Sequence, residues 1–320
     1  MIRKTVLVTG GYGFIASHLV RHIFERYNRV INVDKMDEVA SEINVPTEIR
    51  QSPRYFFEEC DITNFESVEN IFSRHKIDIV FHLAAQSHVD KSYTDPRNTL
   101  LNNVLGTMVL LDASRRHKVE KFLHMSTDEV YGDVVESAAT EDHPLNPTNP
   151  YAASKASAEH YVKMMFYSYN LPVVLVRCNN IYGHNQYTEK VLPTFVRRLV
   201  ENKNIEIHDG GNQKRSWLHV DDACRAIILA CEKGVDGEVY NIDSKDEYDI
   251  TFISKKVGEI LGKKIEIEHT YNRPYNDSRY FINGDKLRAL GWEQQIPFEV
   301  GIKDTIEHFI KKFSEGRCYK

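Results

Sequence analysis

The 320-residue sequence predicts an α/β fold: a doubly wound parallel sheet followed by a smaller mixed α/β lobe. Three observations carry that expectation. Apolar runs of strand length recur through the first half of the chain. Segments with helical spacing of apolar residues separate them, and this alternation is the signature of a parallel sheet covered on both faces. Beyond about residue 178 the rhythm changes to loops, short strands and helices.

In order, the strands are "TVLVT" (5–9), "RVINVD" (29–34), "RYFFEE" (54–59), "DIVFHLA" (78–84), "KFLHMS" (121–126) and "PVVLVR" (172–177). "TVLV" and "VVLV" are continuously apolar, as strands buried on both sides are. Helical spacing covers 14–27, 65–75, 98–116 and 152–169. After 178 comes the loop-like "NNIYGHNQYTEKVLP", a helix over 191–202, and "IEIHDGGNQKRSWLHVDD". A helix at 221–233 and a short strand, "EVYNI" (238–242), follow. Helices near 251–262, 284–290 and 297–313 complete the second lobe, with "HTYNRPYNDSRYF" (269–281) as a loop leading into a strand. The division is therefore 1–178 and 179–320, interleaved, with part of 217–242 returning to the first unit.

Composition narrows the function classes. Net charge is −5 and no Lys/Arg-rich run stands out, so neither nucleic acid nor a membrane surface is an expected partner. The five cysteines (60, 178, 224, 231, 318) form no CxxC, and they read as reduced thiols in the cytoplasm. The opening "MIRKTVLVTGG" has too short an apolar run for a signal peptide and reads as a first strand. No segment approaches the roughly 18 apolar residues of a membrane span. Fourteen histidines are scattered without a metal-ligand spacing; His18 and His22 are four apart but have no third partner in view, so no metal is expected.

"TVLVTGGYGFIASHLV" sets Gly10, Gly13 and Ala16 in a G-x-x-G-x-x-A pattern between a strand and a helix. Glycines let the backbone turn tightly and approach a pyrophosphate at a helix N-terminus, and the third position must be small for packing. Asp34 ends the second strand about 20 residues on, where a carboxylate bonds ribose hydroxyls. It would repel a 2′-phosphate, which favours NAD over NADP. "CDIT" (60–63) and "HLAAQS" (82–87) bring two more strand ends to the same sheet edge.

"NPYAASKASAEHY" carries Tyr151 and Lys155, four apart and so on one helix face. An ammonium beside a phenol lowers its pKa, which suits a general base working on a hydroxyl. Thr127 ends the preceding strand. Together these resemble the working parts of the extended short-chain dehydrogenase/reductase superfamily. That resemblance implies a Rossmann-like sheet and hydride transfer at a carbinol. Tyr151 would be the base, Lys155 would hold the nicotinamide ribose, and Thr127 would orient the substrate hydroxyl.

"STDEVYG" (126–132) adds Asp128 and Glu129 at the same strand end. Burying two carboxylates is costly unless they are paired or used. Oxidising C4 of a hexose acidifies the C5 proton; a base must then take that proton while an acid protonates the departing C6 hydroxyl. Repulsion between two adjacent carboxyls pushes their pKa values apart, so one stays protonated near neutral pH. With "HLAAQSHVDKS", "NNVLGT", "NPYAASK", "NNIYG", "YTEKVLP", "KRSWLHVDD" and "NRPYNDSRYF", this stretch is similar to nucleotide-diphosphate-glucose 4,6-dehydratases over nearly the whole chain. The resemblance implies Asp128 as general acid and Glu129 as general base. Gln86 and the "NRPYNDSRY" form resemble eukaryotic members, some of which use UDP-glucose, more than the usual bacterial thymidine-diphosphate enzymes. Ile181 stands where many dehydratases carry a second asparagine.

By the same resemblance the cofactor lies on Gly10, Gly13, Phe14, Ile15, Asp34, Lys35, Asp61, Ile62, Leu83, Ala84, Ala85 and Asn102, besides Tyr151 and Lys155. The substrate falls to Ser87, Thr127, Asn180, Glu189, Lys190, Arg215, Asn241 and Arg273. Planar guanidinium groups at Arg215 and Arg273 suit a diphosphate, and Arg279 is expected to pair with Asp277. Helices 98–116 and 152–169 form a dimer interface in relatives, which implies a homodimer. A 4-epimerase or decarboxylase on the same scaffold, or a non-catalytic NAD-binding sensor, are the competing readings; Asp128 and Glu129 argue against both.

Overall fold

A computed structural model of the chain describes residues 2–270 and 274–315. Seven strands make one parallel sheet: β1 (Ile2–Thr9), β2 (Tyr27–Asp34), β3 (Tyr55–Glu59), β4 (Ile79–His82), β5 (Lys121–Thr127), β6 (Val173–Cys178) and β7 (Val239–Ile242). Their order is β3-β2-β1-β4-β5-β6-β7. The direction of winding reverses between β1 and β4, and in such sheets ligands bind in the crevice outside the strand ends at that point.

Successive side chains along each strand point to opposite faces, so the two faces have separate cores. Val6, Val8, Phe81 and Leu123 pack under α1 (Phe14–Arg26) and a helix over Val220–Lys233. Leu7, Ile31, Val80 and Phe122 pack under α2 (Phe65–Arg74), α3 (Gly106–Arg116) and α4 (Pro150–Tyr169). All six residues of β6 are buried, which is why "VVLVR" shows no alternation. The segment "EVYNI" is the seventh strand of this sheet, paired with β6.

A third core, built on Tyr182, Phe195, Trp217, Ile253, Phe298 and Phe309, lies beyond the strand ends. It joins α5 (Val191–Val200), α6 (the Val220–Lys233 helix's successor in the chain, Ile250–Leu261) and α7 (Phe298–Ser314) to short sheets. One of these pairs Lys214–His219 with Asn180–Tyr182, so "NNIYG" holds a short strand where the sequence suggests only loop. Another pairs Val134–Ala139 with Tyr280–Ile282; Val134–Ala139 carries no alternating pattern strong enough to announce it. The helix expected over 98–116 is instead three pieces: Pro96–Leu100, a π-helical turn at Leu101–Leu105, and α3. Asn102 and Asn103 in the π turn are both buried. Such turns recur at functional sites.

Candidate active site

The sheet's C-terminal edge opens into a cleft of about 470 Å³. On one side lies the glycine loop. Gly10 has φ +72°, and a Cβ there would sit 3.0 Å from the Ala84 Cα, so the turn requires glycine. Gly13 precedes α1 with no side-chain cap, leaving the helix N-terminus open toward the cleft. The Asp34 carboxylate receives the Tyr12 N–H at 3.0 Å and the Met36 N–H at 2.9 Å, which fix its direction at the end of β2. Burial pushes its pKa up; those two backbone donors oppose the shift. Thr9 Oγ1 accepts the Leu83 and Ala84 N–H groups and so holds the turn after β4 against β1.

Phe14, Ile15, Lys35, Ile62, Leu83, Ala84, Ala85 and Asn102 line the cleft as expected, with Lys35 Nζ donating to Asn102 Oδ1 at 2.8 Å. Asp61 does not line it. Its carboxylate turns back onto the Thr63 N–H and hydroxyl, both 2.8 Å, while its neighbours Cys60 and Ile62 face inward. An open helix N-terminus, a loop too tight for side chains and a ribose-height carboxylate fit a dinucleotide.

Thr127, Asp128, Glu129, Tyr151 and Lys155 come together across the cleft. β5 ends at Thr127, whose hydroxyl caps a 3₁₀ turn, Asp128–Tyr131, by accepting the Glu129 N–H at 3.3 Å. The two carboxylates thus start a helical turn and face the cleft at once. Asp128 is 2% exposed. It accepts Asn179 Nδ2 at 2.7 Å and the Thr127 hydroxyl at 3.2 Å. Burial first, then the Glu129 charge, pushes its pKa up to about 7. Two adjacent carboxyls thus leave one of them, Asp128, held toward its protonated form. Glu129 accepts Asn149 Nδ2 at 2.9 Å. Asn149 also caps α4 through Ala152 N–H, with Pro150 at the first helical position, so one residue sets both the helix start and the direction of Glu129.

The phenol departs from expectation. Lys155 Nζ donates to the Met125 carbonyl at 2.6 Å, and burial lowers its pKa to about 8. Tyr151 is not lowered by that ammonium; burial and the Glu129 charge hold it above the ordinary range. Desolvation and a nearby carboxylate outweigh a cation already committed to a backbone carbonyl.

On the substrate side Ser87, Asn180, Lys190 and Arg215 line the cleft, and Lys190 Nζ reaches the Ser87 carbonyl at 3.1 Å. Two positions, Glu189 and Asn241, are placed otherwise. Glu189 is exposed and lies 3.4 Å from His88 Nε2, outside the cleft lining. Asn241 is fully buried: it accepts the Tyr131 hydroxyl at 2.8 Å and donates to the Ala139 and Asn283 carbonyls. Every polar atom of that amide is matched inside the protein, so it braces the structure. Arg215 donates to the Lys214, Asp277 and Ser278 carbonyls and to Asn276 Oδ1, which occupies both terminal nitrogens. Arg273 lies outside the described residues. Arg279 pairs with Glu247 at 2.7 and 2.8 Å, not with Asp277.

Sequence reasoning missed Asn149, Asn179 and Tyr280. Asn149 carried a signal, the N-cap pattern Asn-Pro; Asn179 and Tyr280 stand in quoted segments but act through tertiary contacts. His18 and His22 do meet, on Asp221, at 3.3 and 3.0 Å. Among the described residues no cluster of three or more His, Cys, Asp or Glu could hold a metal ion, and no helix is long and apolar enough to cross a membrane.

Fold and site together define a dinucleotide-dependent enzyme of the extended short-chain dehydrogenase/reductase type. Residues 7–305 match the model of the GDP-mannose 4,6 dehydratase family, and the chain belongs to that family. A human protein named dTDP-D-glucose 4,6-dehydratase is 40% identical over 319 residues, covering 97% of this chain and 91% of its own length. A dTDP-glucose 4,6-dehydratase from Streptomyces venezuelae, solved with NAD bound, superimposes with a TM-score of 0.93 at 33% identity over 97% of this chain and 98% of that one. A UDP-glucose 4-epimerase from Thermotoga maritima, solved with UDP-glucose, follows at 0.90 and 33%, over 97% and 99%. Fold likeness alone therefore does not separate dehydration from epimerisation.

Proposed function

We propose that this chain is an NAD-dependent hydro-lyase that converts UDP-glucose or dTDP-glucose to the 4-keto-6-deoxy sugar. The observation that carries the reading is Asp128, a buried carboxyl with its pKa raised to about 7, beside Glu129 and in the same cluster as Tyr151. A 4-epimerisation only removes and returns a hydride at one carbon and has no use for a second acid. When bound, NAD would accept the C4 hydride and later return it to C6, and its positive charge would favour the Tyr151 phenolate that burial otherwise opposes. Tyr151, once in its phenolate form, takes the proton of the C4 hydroxyl, which Thr127 orients, and Lys155 holds the ribose. With C4 a ketone, Glu129 removes the C5 proton. Asp128 gives its proton to the C6 hydroxyl, which leaves as water. The overall reaction is redox-neutral.

Supporting features extend the reading. Leu100, Met108, Tyr161, Met164 and Tyr167 expose apolar surface on the helices at 96–116 and on α4, which supports a homodimer. Cys60, Cys178, Cys224 and Cys231 are free and buried, in keeping with a reducing, cytoplasmic setting. Residues 1–178, joined by Val220–Ile242, serve the cofactor, and the remainder of 179–320 serves the sugar nucleotide.

Parallel incubation with the two nucleotide sugars tests the function. The expected product is lighter by one water and shows the alkaline absorbance of a 4-keto-6-deoxy sugar. Isomeric galactose would establish epimerisation instead, and tight NAD binding with no turnover would establish a sensor. Glu129→Gln is expected to oxidise C4 and stop there; release of product at the wild-type rate would remove Glu129 from the base role.

A further inference from the structure

Glu129 Oε2 has a second donor within reach, and that donor is contested. The Tyr280 hydroxyl is 3.5 Å from Glu129 Oε2 but 2.7 Å from Asp277 Oδ2. A phenol has one proton to donate, so it serves one carboxylate at a time, and the distances assign it to Asp277. Burial and the Glu129 charge hold the Tyr280 phenol well above its ordinary range, so the proton stays on Tyr280.

Asp277 is a demanding acceptor. It is 2% exposed. Its Oδ2 also takes the Thr148 hydroxyl at 2.6 Å, while its Oδ1 is buried without a hydrogen-bond partner among the described residues. A buried carboxylate left partly unmatched draws any O–H within reach.

We propose that Asp277 is a positioning residue for the base: by holding the Tyr280 proton it keeps Tyr280 from donating to Glu129, and so keeps Glu129 a strong acceptor for the C5 proton. The proposal rests on the dehydration reading of Glu129. Each hydrogen bond to a carboxylate stabilises its charged form and weakens it as a base. With Asn149 alone, Glu129 is oriented by one donor; with Tyr280 added it would be oriented by two and less ready to form the new O–H bond as the C5–H electron pair moves toward the C4 ketone. Asp277 is well placed to link this to the substrate side. Its own carbonyl receives Arg215 Nη2 at 2.9 Å, and the Arg215 guanidinium lies 4.4 Å from the centre of the Tyr280 ring. Thr148, its other donor, directly precedes Asn149.

The test compares Asp277→Ala, Tyr280→Phe and the double variant. In Asp277→Ala the phenol is released to Glu129, and solvent-deuterium exchange at C5 and water elimination are expected to slow about tenfold. C4 oxidation, read as reduced nicotinamide in a single turnover, stays within about twofold of wild type. Removing the phenol as well relieves the defect, so the double variant eliminates within about threefold of Tyr280→Phe alone. An unchanged Asp277→Ala overturns the proposal. So does a slowed Asp277→Ala that Tyr280→Phe does not relieve, because that pattern belongs to a loop that has merely lost its shape. A second measurement needs no turnover. The carboxylate stretching band of Glu129, assigned by difference against Glu129→Gln, should shift in Asp277→Ala and return in the double variant. If the wild type turns over neither nucleotide sugar, the dehydration reading fails, and the infrared comparison still decides whether Asp277 withholds the Tyr280 proton; no shift in that band overturns the proposal.

Discussion

Replacing Asp128 with asparagine separates its proton from its shape. Asparagine is nearly isosteric. Its oxygen can accept Asn179 Nδ2, now at 2.7 Å from Asp128 Oδ2, and its amide can donate to Thr127 Oγ1, now 3.2 Å away. What disappears is the titration. Burial and Glu129 raise the Asp128 pKa from an ordinary 3.8 to about 7 in the folded chain. Between those values the folded state holds a proton that the unfolded chain has released, so stability falls as pH rises through that window. The full loss is about 4 kcal/mol once pH exceeds 7, since each pKa unit is worth about 1.4 kcal/mol. Asp128→Asn escapes it. The variant is therefore expected to match wild type near pH 4 and to exceed it by about 4 kcal/mol at pH 8. For a chain of this length that is about 6 °C in melting temperature, from about 2.1 cal/mol/K of unfolding entropy per residue. Calorimetry of the ligand-free proteins across pH 4–8 reads the gap. In single turnover the variant should still oxidise C4 but eliminate water about 10²–10⁴-fold more slowly. A melting-temperature gap that does not grow with pH, or elimination at the wild-type rate, would refute the assignment of a protonated acid to Asp128.

Other perturbations probe separate parts. Tyr151→Phe should lower C4 oxidation itself about 10²–10⁴-fold, seen as loss of the reduced-nicotinamide signal, because it removes the base before the carboxylates are called on. Asp34→Ala should weaken NAD binding about 10–100-fold by titration calorimetry and narrow the preference over NADP, since it removes a charged acceptor at the ribose. Arg177→Met leaves Glu159, 0% exposed, as an unpaired buried charge, and denaturant unfolding should show a loss of about 3–5 kcal/mol. Gly10→Ala, at φ +72°, should cost about 1–2 kcal/mol in the same assay and reduce NAD affinity.

The parts legible in the sequence are those that local chemistry dictates. Buried parallel strands have to be continuously apolar, so "VVLV" announced β6; a dinucleotide turn needs Gly10; Tyr151 and Lys155 share a helix face at any tertiary arrangement. Asp128 and Glu129 were readable because carboxylates at the end of a buried strand conflict with burial, and such conflicts mark function. What escaped depends on partners distant in the chain. The direction of the Asn241 amide is set by Tyr131, Ala139 and Asn283, more than forty residues away in each case. Arg279 pairs with Glu247, distant in the chain, while the nearby Asp277 takes the Thr148 and Tyr280 hydroxyls on Oδ2, and neither choice is written in local spacing. The π turn at Leu101–Leu105 has the same apolar spacing as a helix, and periodicity cannot distinguish them.

The displacement of Asn241 from the substrate to the interior bears on how one scaffold supports two chemistries. An epimerase superimposes on this chain with a TM-score of 0.90, so the overall fold does not distinguish the two chemistries. On the proposed dehydration reading the difference lies in the turn after β5, where burial opposes the ionisation of Asp128. The Asp128–Tyr131 turn is anchored at its far end. The Tyr131 hydroxyl donates to Asn241 and accepts Arg177 Nη1 at 2.6 Å, and Arg177 is in turn held by Glu159 at 2.6 Å with both side chains essentially unexposed. Glu159 lies on α4, one turn beyond Lys155, and Arg177 lies on β6, two residues before Asn179, which holds Asp128. A buried ion pair is weak evidence of stability, since apolar replacements often do as well. Here its geometry ties the acid, its turn and the helix of the base to one rigid point, which apolar packing would not fix in direction. On the proposed mechanism Tyr151, Glu129 and Asp128 must act at C4, C5 and C6 of one hexose, and a displacement of about 1 Å costs such a reaction about 10²-fold. Directional bonds beneath the turn therefore answer the same requirement as the carboxylates above it.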